Sequence, residues 1–228
     1  MPFLRRAAPP APPESPEQWR PQQFGRGGRP VHDPLIEPSW GGVRILARFE
    51  LGRTLLVDED GFDCTDEFAV VADAITVAAL AEALILDGFL TVEPTQATAG
   101  VAITGIEAPS AGQMMTQMLV GTRRSRSSRS THRLDPDRPI AFVAVDLLSI
   151  DGTGLLDIPL LERKRLLDGA LRTGELVRVT PFVRPPIGTF VATWRALGFG
   201  ALAFKAANSR YIPGRRNADW SIVPTPIK

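Results

Sequence analysis

The residues of this chain that could do chemistry are few and widely spaced. Ser39 lies in the run Glu37-Pro38-Ser39-Trp40-Gly41-Gly42-Val43-Arg44. A serine hydroxyl becomes a useful nucleophile only beside a positioned base, and Pro38, Trp40 and Gly41 supply none. The single cysteine, Cys64, excludes an intramolecular disulfide and a cysteine-based metal site and fits a reducing compartment. His32 and His132 stand alone, with no second ligand at metal spacing, so no metal site is predicted. Clustered charge comes from arginine. The Arg/Ser tract over 123–133 carries Arg123, Arg124, Arg126 and Arg129, and such a cluster suits a phosphate backbone contacted without reading its sequence. A merely soluble loop is the plain alternative. Arg44, Arg215 and Arg216 offer the same bidentate geometry to phosphate, set against solvated surface arginines.

The elements that must position these groups are short. The chain has 228 residues and a 44% hydrophobic fraction, enough for one sizeable core. Residues 1–30 are rich in proline, glycine, glutamine and arginine and hold few large aliphatics, so a disordered arm is expected there. Its proline content also suits an SH3-like partner. Val43 to Phe49 and Arg53 to Val57 read as an antiparallel hairpin, and Glu59-Asp60-Gly61 as a tight turn. Thr65, followed by Asp66 and Glu67, predicts a capped helix carrying Phe68, Val71, Ala72 and Ile75. Strands are expected over Leu84 to Val92, Ile140 to Leu148, Leu176 to Val183 and Gly200 to Lys205. Helices are expected over Gln113 to Leu119, Pro159 to Leu171 and Thr189 to Leu197, while Val101 to Ile106 fits strand or loop. Trp40, Trp194 and Trp220 read as packing residues. The interleaving predicts an α+β domain over 31–228, with antiparallel sheets flanked by helices. Net charge is only +1, so attraction to nucleic acid must come from local clusters. No apolar run approaches the roughly 20 residues of a membrane span, and no secretory signal opens the chain, so a cytoplasmic location is expected.

Three stretches resemble the adenylation domain of ATP-dependent DNA ligases, in order, over roughly Leu35 to Trp220. Glu37 to Arg44 is similar to the nucleophile motif EPKWDGYR. Phe142-Val143-Ala144-Val145-Asp146-Leu147-Leu148, with Asp151-Gly152 and Leu156 to Arg163, is similar to the FDLL strand, turn and "PL-x-x-R" helix, and is the most specific match. Ser209 to Arg216, continuing to Trp220, is similar to SPYRPGRR followed by tryptophan. The resemblance implies a nucleotidyltransferase (ATP-grasp-like) adenylation domain, without the OB-fold domain that usually follows it.

Measured against that family, the catalytic groups are missing. Ser39 stands where the family lysine attacks the α-phosphate of ATP, and Gly41 where it has aspartate. Asp58-Glu59-Asp60-Gly61 replaces SRNG, so a nucleotide-contacting arginine becomes Glu59. Asp87-Gly88-Phe89 lacks the glutamate of DGE, Val145 replaces a stacking aromatic, and Gly200 replaces an acid in the segment ending at Lys205. Ser221 to Pro224 lacks both lysines of WLKVK. Covalent adenylation needs an amine and metal-assisted charge neutralisation, so the resemblance implies a ligase-like protein without a catalytic residue and without lysyl-AMP. Lys205 does not replace the nucleophile, since the family's lysine there binds phosphate from another strand. Glu37, Arg44, Asp146 and Lys205 remain as nucleotide-site remnants, with Asp146 alternatively an ordinary strand-end surface residue. No cofactor follows from the residues themselves; ATP and magnesium follow from the resemblance, and DNA or a DNA-repair protein is the implied partner. The alternative is an ATP-binding ligase component completed by a second chain.

Overall fold

A computed structural model describes residues 15–25, 30–92 and 139–225. The expectations for 101–106, 113–119 and the Arg/Ser tract lie outside the described residues. Among the described residues, nine strands and three α-helices follow in chain order: β1 (Pro34–Pro38), β2 (Val43–Glu50), β3 (Arg53–Asp58), α1 (Ala69–Ala78), β4 (Ala83–Thr91), β5 (Ala141–Ile150), β6 (Thr153–Gly154), α2 (Leu160–Ala170), β7 (Val177–Val179), α3 (Gly188–Ala196), β8 (Ala201–Ala206) and β9 (Trp220–Pro224). The larger sheet runs β3-β2-β4-β5-β6 with β7 also on β5, and the smaller runs β1-β8-β9. The α+β architecture is as expected. One correction concerns strand direction: β5 and β7 pair in parallel, while the other named strand pairs are antiparallel. The chain reaches β7 by a crossover through α2, the connection a parallel neighbour requires.

β5 is the centre of the domain. Its run AFVAVDLLSI is buried from Phe142 to Ser149 because both faces are covered, which is why it reads as continuously apolar rather than alternating. Beneath one face, Val71, Ala72, Ile75 and Ala78 of α1 and Leu167 and Ala170 of α2 pack against Ile45, Leu86, Phe142 and Leu147. Each large aliphatic buried there contributes about 2 kcal/mol. Over the other face, Val143 and Val145 meet Ile36, Trp40, Trp194, Phe199 and Leu202, which joins the smaller sheet and α3 to the larger sheet. Trp40, Trp194 and Trp220 are buried packing residues, as their type suggested.

Two register shifts between β4 and β5 leave Val145 and Leu148 without a ladder partner. The first lets Val145 join Val143 in the second cluster while Asp146 stands directly opposite Asp87. Asp146 is therefore fully buried inside the strand, not the strand-end surface residue that its position before a turn suggested.

Three further departures concern single segments. The Thr65 hydroxyl bonds with the Leu56 N–H at 2.9 Å and Asp63 at 2.6 Å, so it does not cap a helix; α1 begins at Ala69, with no acid in its first turn. β1 carries a proline at each end and is tolerated at the edge of its sheet, paired along its length to β8 and on its other side only through the isolated Ile36–Val183 bridge. Part of the arm expected to be disordered is packed: in 15–25, Trp19 and Gln22 are buried. The Gln22 N–H donates to the Tyr211 hydroxyl at 2.8 Å, and Gln22 Oε1 accepts from the Ile212 N–H at 2.6 Å. The partners lie some 190 positions away, beyond any local compositional signal. Among the described residues, no helix is long and apolar enough to cross a membrane.

Gly88 permits the close approach of β4 and β5. A Cβ there would lie 2.2 Å from the Phe142 ring and 2.6 Å from the Val143 carbonyl oxygen. Gly88→Ala is expected to destabilise the protein by about 2 kcal/mol through overpacking, read in urea as a lower midpoint at unchanged slope.

Candidate functional site

The two sheets meet at a cleft of about 250 Å³. β1 and the turn after it supply Glu37, Ser39 and Trp40; β2 supplies Arg44, β4 Phe89, β5 Val145 and β8 Lys205. Phe24, from the N-terminal segment, and Glu59, from the loop after β3, complete the walls. Gly42, at φ +106°, makes the turn between β1 and β2 possible, since a Cβ would lie 2.0 Å from the Leu90 carbonyl oxygen. Ser39, Glu37, Arg44 and Lys205 all line this cleft. Asp146 does not line this cleft. Arg215 and Arg216 lie on the exposed turn after Pro213, away from it, with Arg216 3.4 Å from Gln23 Oε1. Arg123, Arg124, Arg126 and Arg129 lie outside the described residues.

Every cation at the cleft already has a carboxylate. Lys205 Nζ donates to Glu37 Oε2 at 2.8 Å and sits 4.5 Å from the Trp220 ring centroid. Lys164, on α2, forms an ion pair with the other Glu37 oxygen at 2.5 Å. All three side chains are about 1% exposed. Arg44 grips Asp87 through Nε at 3.0 Å and Nη2 at 2.6 Å, and its guanidinium lies over Phe24 and Phe89. Tyr211 donates its hydroxyl to Asp87 Oδ2 at 2.8 Å.

Behind the cleft, Arg163 of α2 makes the matching bidentate contact with Asp146, at 2.8 and 2.7 Å, and also donates to the Ser209 carbonyl. Two carboxylates opposite each other in a ladder repel. Here each is held by its own arginine, so the Asp87–Asp146 pair is tolerated in the core. Burial alone would lower the Arg44 and Arg163 pKa values, but the carboxylates outweigh it and both stay protonated. Burial, then the Asp87 charge, raises the Tyr211 hydroxyl well above its ordinary value, which keeps it a donor.

Asp87, Arg163, Lys164 and Tyr211 belong to this network and were not singled out as site residues. A signal for two of them was present. Leu160, Arg163, Lys164 and Leu167 follow the i, i+3, i+4, i+7 spacing of one helix face, so charges at the middle positions share the buried face of the leucines. Cys64 is pushed up to about 11, first by burial and then by nearby carboxylates, and stays a thiol. Among the described residues, no group of three or more His, Cys, Asp or Glu side chains could hold a metal.

The two-sheet fold with a cleft at its seam defines the class at the level of fold: it is the fold of the LigD ligase domain. The chain is homologous to the ligase domain of LigD. It is 30% identical over 191 residues to the multifunctional non-homologous end joining DNA repair protein LigD of Mycobacterium tuberculosis, a match covering 81% of this chain and 21% of that protein. A probable DNA ligase of Streptomyces coelicolor is 27% identical over 189 residues, covering 81% of this chain and 34% of its own length. The chain therefore spans about a fifth to a third of these relatives. The fold matches the crystal structure of the ligase domain of M. tuberculosis LigD at a TM-score of 0.61, with 24% identity and 92% of this chain and 60% of that chain covered. It also matches a mycobacterial DNA ligase D complexed with ATP and MES at 0.62, with 23% identity and coverage of 92% and 61%. No protein-family model matches the chain.

Burial, opposed by Glu37, brings the Lys164 pKa down from 10.5 to about 8. Between these values the unfolded chain holds more protons than the native one, so this group's contribution to stability rises with pH across that window. Compared with Lys164→Met, the wild type is expected to gain about 2 kcal/mol between pH 8 and pH 10. Cys64 and Tyr211 titrate in both proteins and cancel. Urea titrations at each pH measure the difference.

Proposed function

We propose that this chain is a non-catalytic homologue of ATP-dependent DNA ligases that does not form lysyl-AMP and acts by binding DNA or a DNA-repair partner. The observation that carries the reading is Ser39, a hydroxyl at the cleft where ligase chemistry requires a primary amine. The two nearby amines do not replace it, because Lys164 and Lys205 are each buried against Glu37. The neighbouring Pro38 and Trp40 offer no base to Ser39, and Gly41, Phe89 and Gly200 bring no carboxylate for a metal-assisted transfer. The names of the relatives, a DNA-repair protein and a probable DNA ligase, favour DNA as the partner. The exposed Arg215 and Arg216, with the arginines of the 123–133 tract, are the groups proposed to meet phosphate.

Incubating the purified protein with α-labelled ATP and magnesium tests the chemical half. No covalent label is expected on the denatured wild type, nor on Ser39→Lys, which restores the amine without its acidic neighbours. A labelled wild type would overturn the reading, and label appearing only with a second chain would establish a two-chain ligase instead.

Binding to nicked duplex DNA, followed by anisotropy across a salt series, tests the other half. Replacing Arg215 and Arg216 together by alanine is expected to weaken binding and to flatten the log–log salt slope by about 0.9 for each phosphate no longer neutralised. An unchanged slope would remove these residues from the interface.

A further inference from the structure

We propose that Glu37 is an internal counter-ion that occupies the cleft's phosphate-binding capacity, so that the cleft excludes nucleotide polyanions. The proposal goes beyond the non-catalytic reading, which concerns only the covalent step.

The geometry carries it. The Glu37 carboxylate divides its two oxygens between two ammonium groups, Lys205 at 2.8 Å and Lys164 at 2.5 Å. Lys205 is the lysine that faces the cleft. A phosphate approaching Lys205 must compete with the Glu37 carboxylate for the same ammonium, and displacing that carboxylate would strip a buried charge of its partner, which is strongly unfavourable. Arg44 offers no substitute. Its Nε and Nη2 are both bonded to Asp87, and its planar face is covered by Phe24 and Phe89. Glu59 adds a negative charge to the wall. Of the charged side chains lining the cleft, two are acids, Glu37 and Glu59, and two are bases, Arg44 and Lys205, so no positive excess draws a triphosphate in. The cleft volume of about 250 Å³ also lies below the usual range for small-molecule sites, roughly 300–1,000 Å³.

Removing only the charge of Glu37 should invert this behaviour. Glu37→Gln keeps the shape of the side chain but leaves Lys205 without its carboxylate, and an incoming phosphate would take that place.

The test is equilibrium binding of ATP, with adenosine as the uncharged control, to the wild type, Glu37→Gln and Glu37→Gln/Lys205→Met, with circular dichroism and thermal unfolding confirming the fold. Saturable ATP binding to the wild type is expected to be absent up to about 1 mM. Glu37→Gln is expected to bind ATP at least about tenfold tighter, the worth of one charge-assisted hydrogen bond, with no gain for adenosine and with the gain lost on Lys205→Met. Saturable ATP binding to the wild type in that range would overturn the proposal. A folded Glu37→Gln that gains nothing would also overturn it. If Glu37→Gln does not fold, Glu37→Asp, too short to reach both lysines, is held to the same criteria. Reversible ATP binding without covalent label would sink this proposal and leave the non-catalytic reading intact; a covalent label would sink that reading by itself.

Discussion

The buried carboxylate of Glu37 between Lys164 and Lys205 is the constraint on which the arrangement of the domain depends. It ties β1 and β8 of the smaller sheet to α2, which packs under the larger one. Such a cluster adds little net stability, because desolvating three charges costs about as much as their attraction returns. Its effect is on geometry. Any sliding of α2 or of the smaller sheet leaves a buried charge without a partner, so only one docking is tolerated. The arginine pairs at Asp87 and Asp146 repeat the principle one layer away, and there the two acids face each other across the β4–β5 ladder.

Cohesion comes from the apolar clusters around β5, and none of it requires a nucleotide. Val143, Val145, Trp40 and Trp194 hold the seam between the sheets, while Phe142, Leu86 and Ile75 hold the opposite face. The fold of a ligase domain is therefore held by packing that makes no use of the polar and charged groups lining its cleft. The core that shapes the cleft is distinct from the groups that would do chemistry in it, and the two can be lost separately. The N-terminal segment adds to the same stability, since Trp19 packs with Leu46, Leu148, Tyr211 and Trp220 and Phe24 packs against their edge.

The order of the elements was largely legible in the chain, because hydrophobic period and turn residues are local properties. The β2–β3 hairpin, α2 and the apolar run of β5 all announce themselves this way. That the cleft would carry Ser39 and bring no acid at Gly41, Phe89 or Gly200 is likewise a matter of residue identity, on which the proposed reading rests. β1 and β9 were less legible: β1 has prolines at both ends, and β9 is recognisable only by its pairing with β8. Thr65 misled because a hydroxyl before an apolar run serves a strand N–H as readily as a helix cap.

By itself, then, the sequence determined most of the strands and helices and which of their faces are apolar. Tertiary structure alone decided which charges meet. Glu37 and Lys205 are 168 positions apart, Asp87 and Tyr211 124, and no periodicity links them. A pattern of buried positions shows that a charge such as Lys164 must be compensated, but not by which partner. The same carboxylate serves as a ligand-facing group or as an internal counter-ion, depending on what the fold places within 3 Å of it.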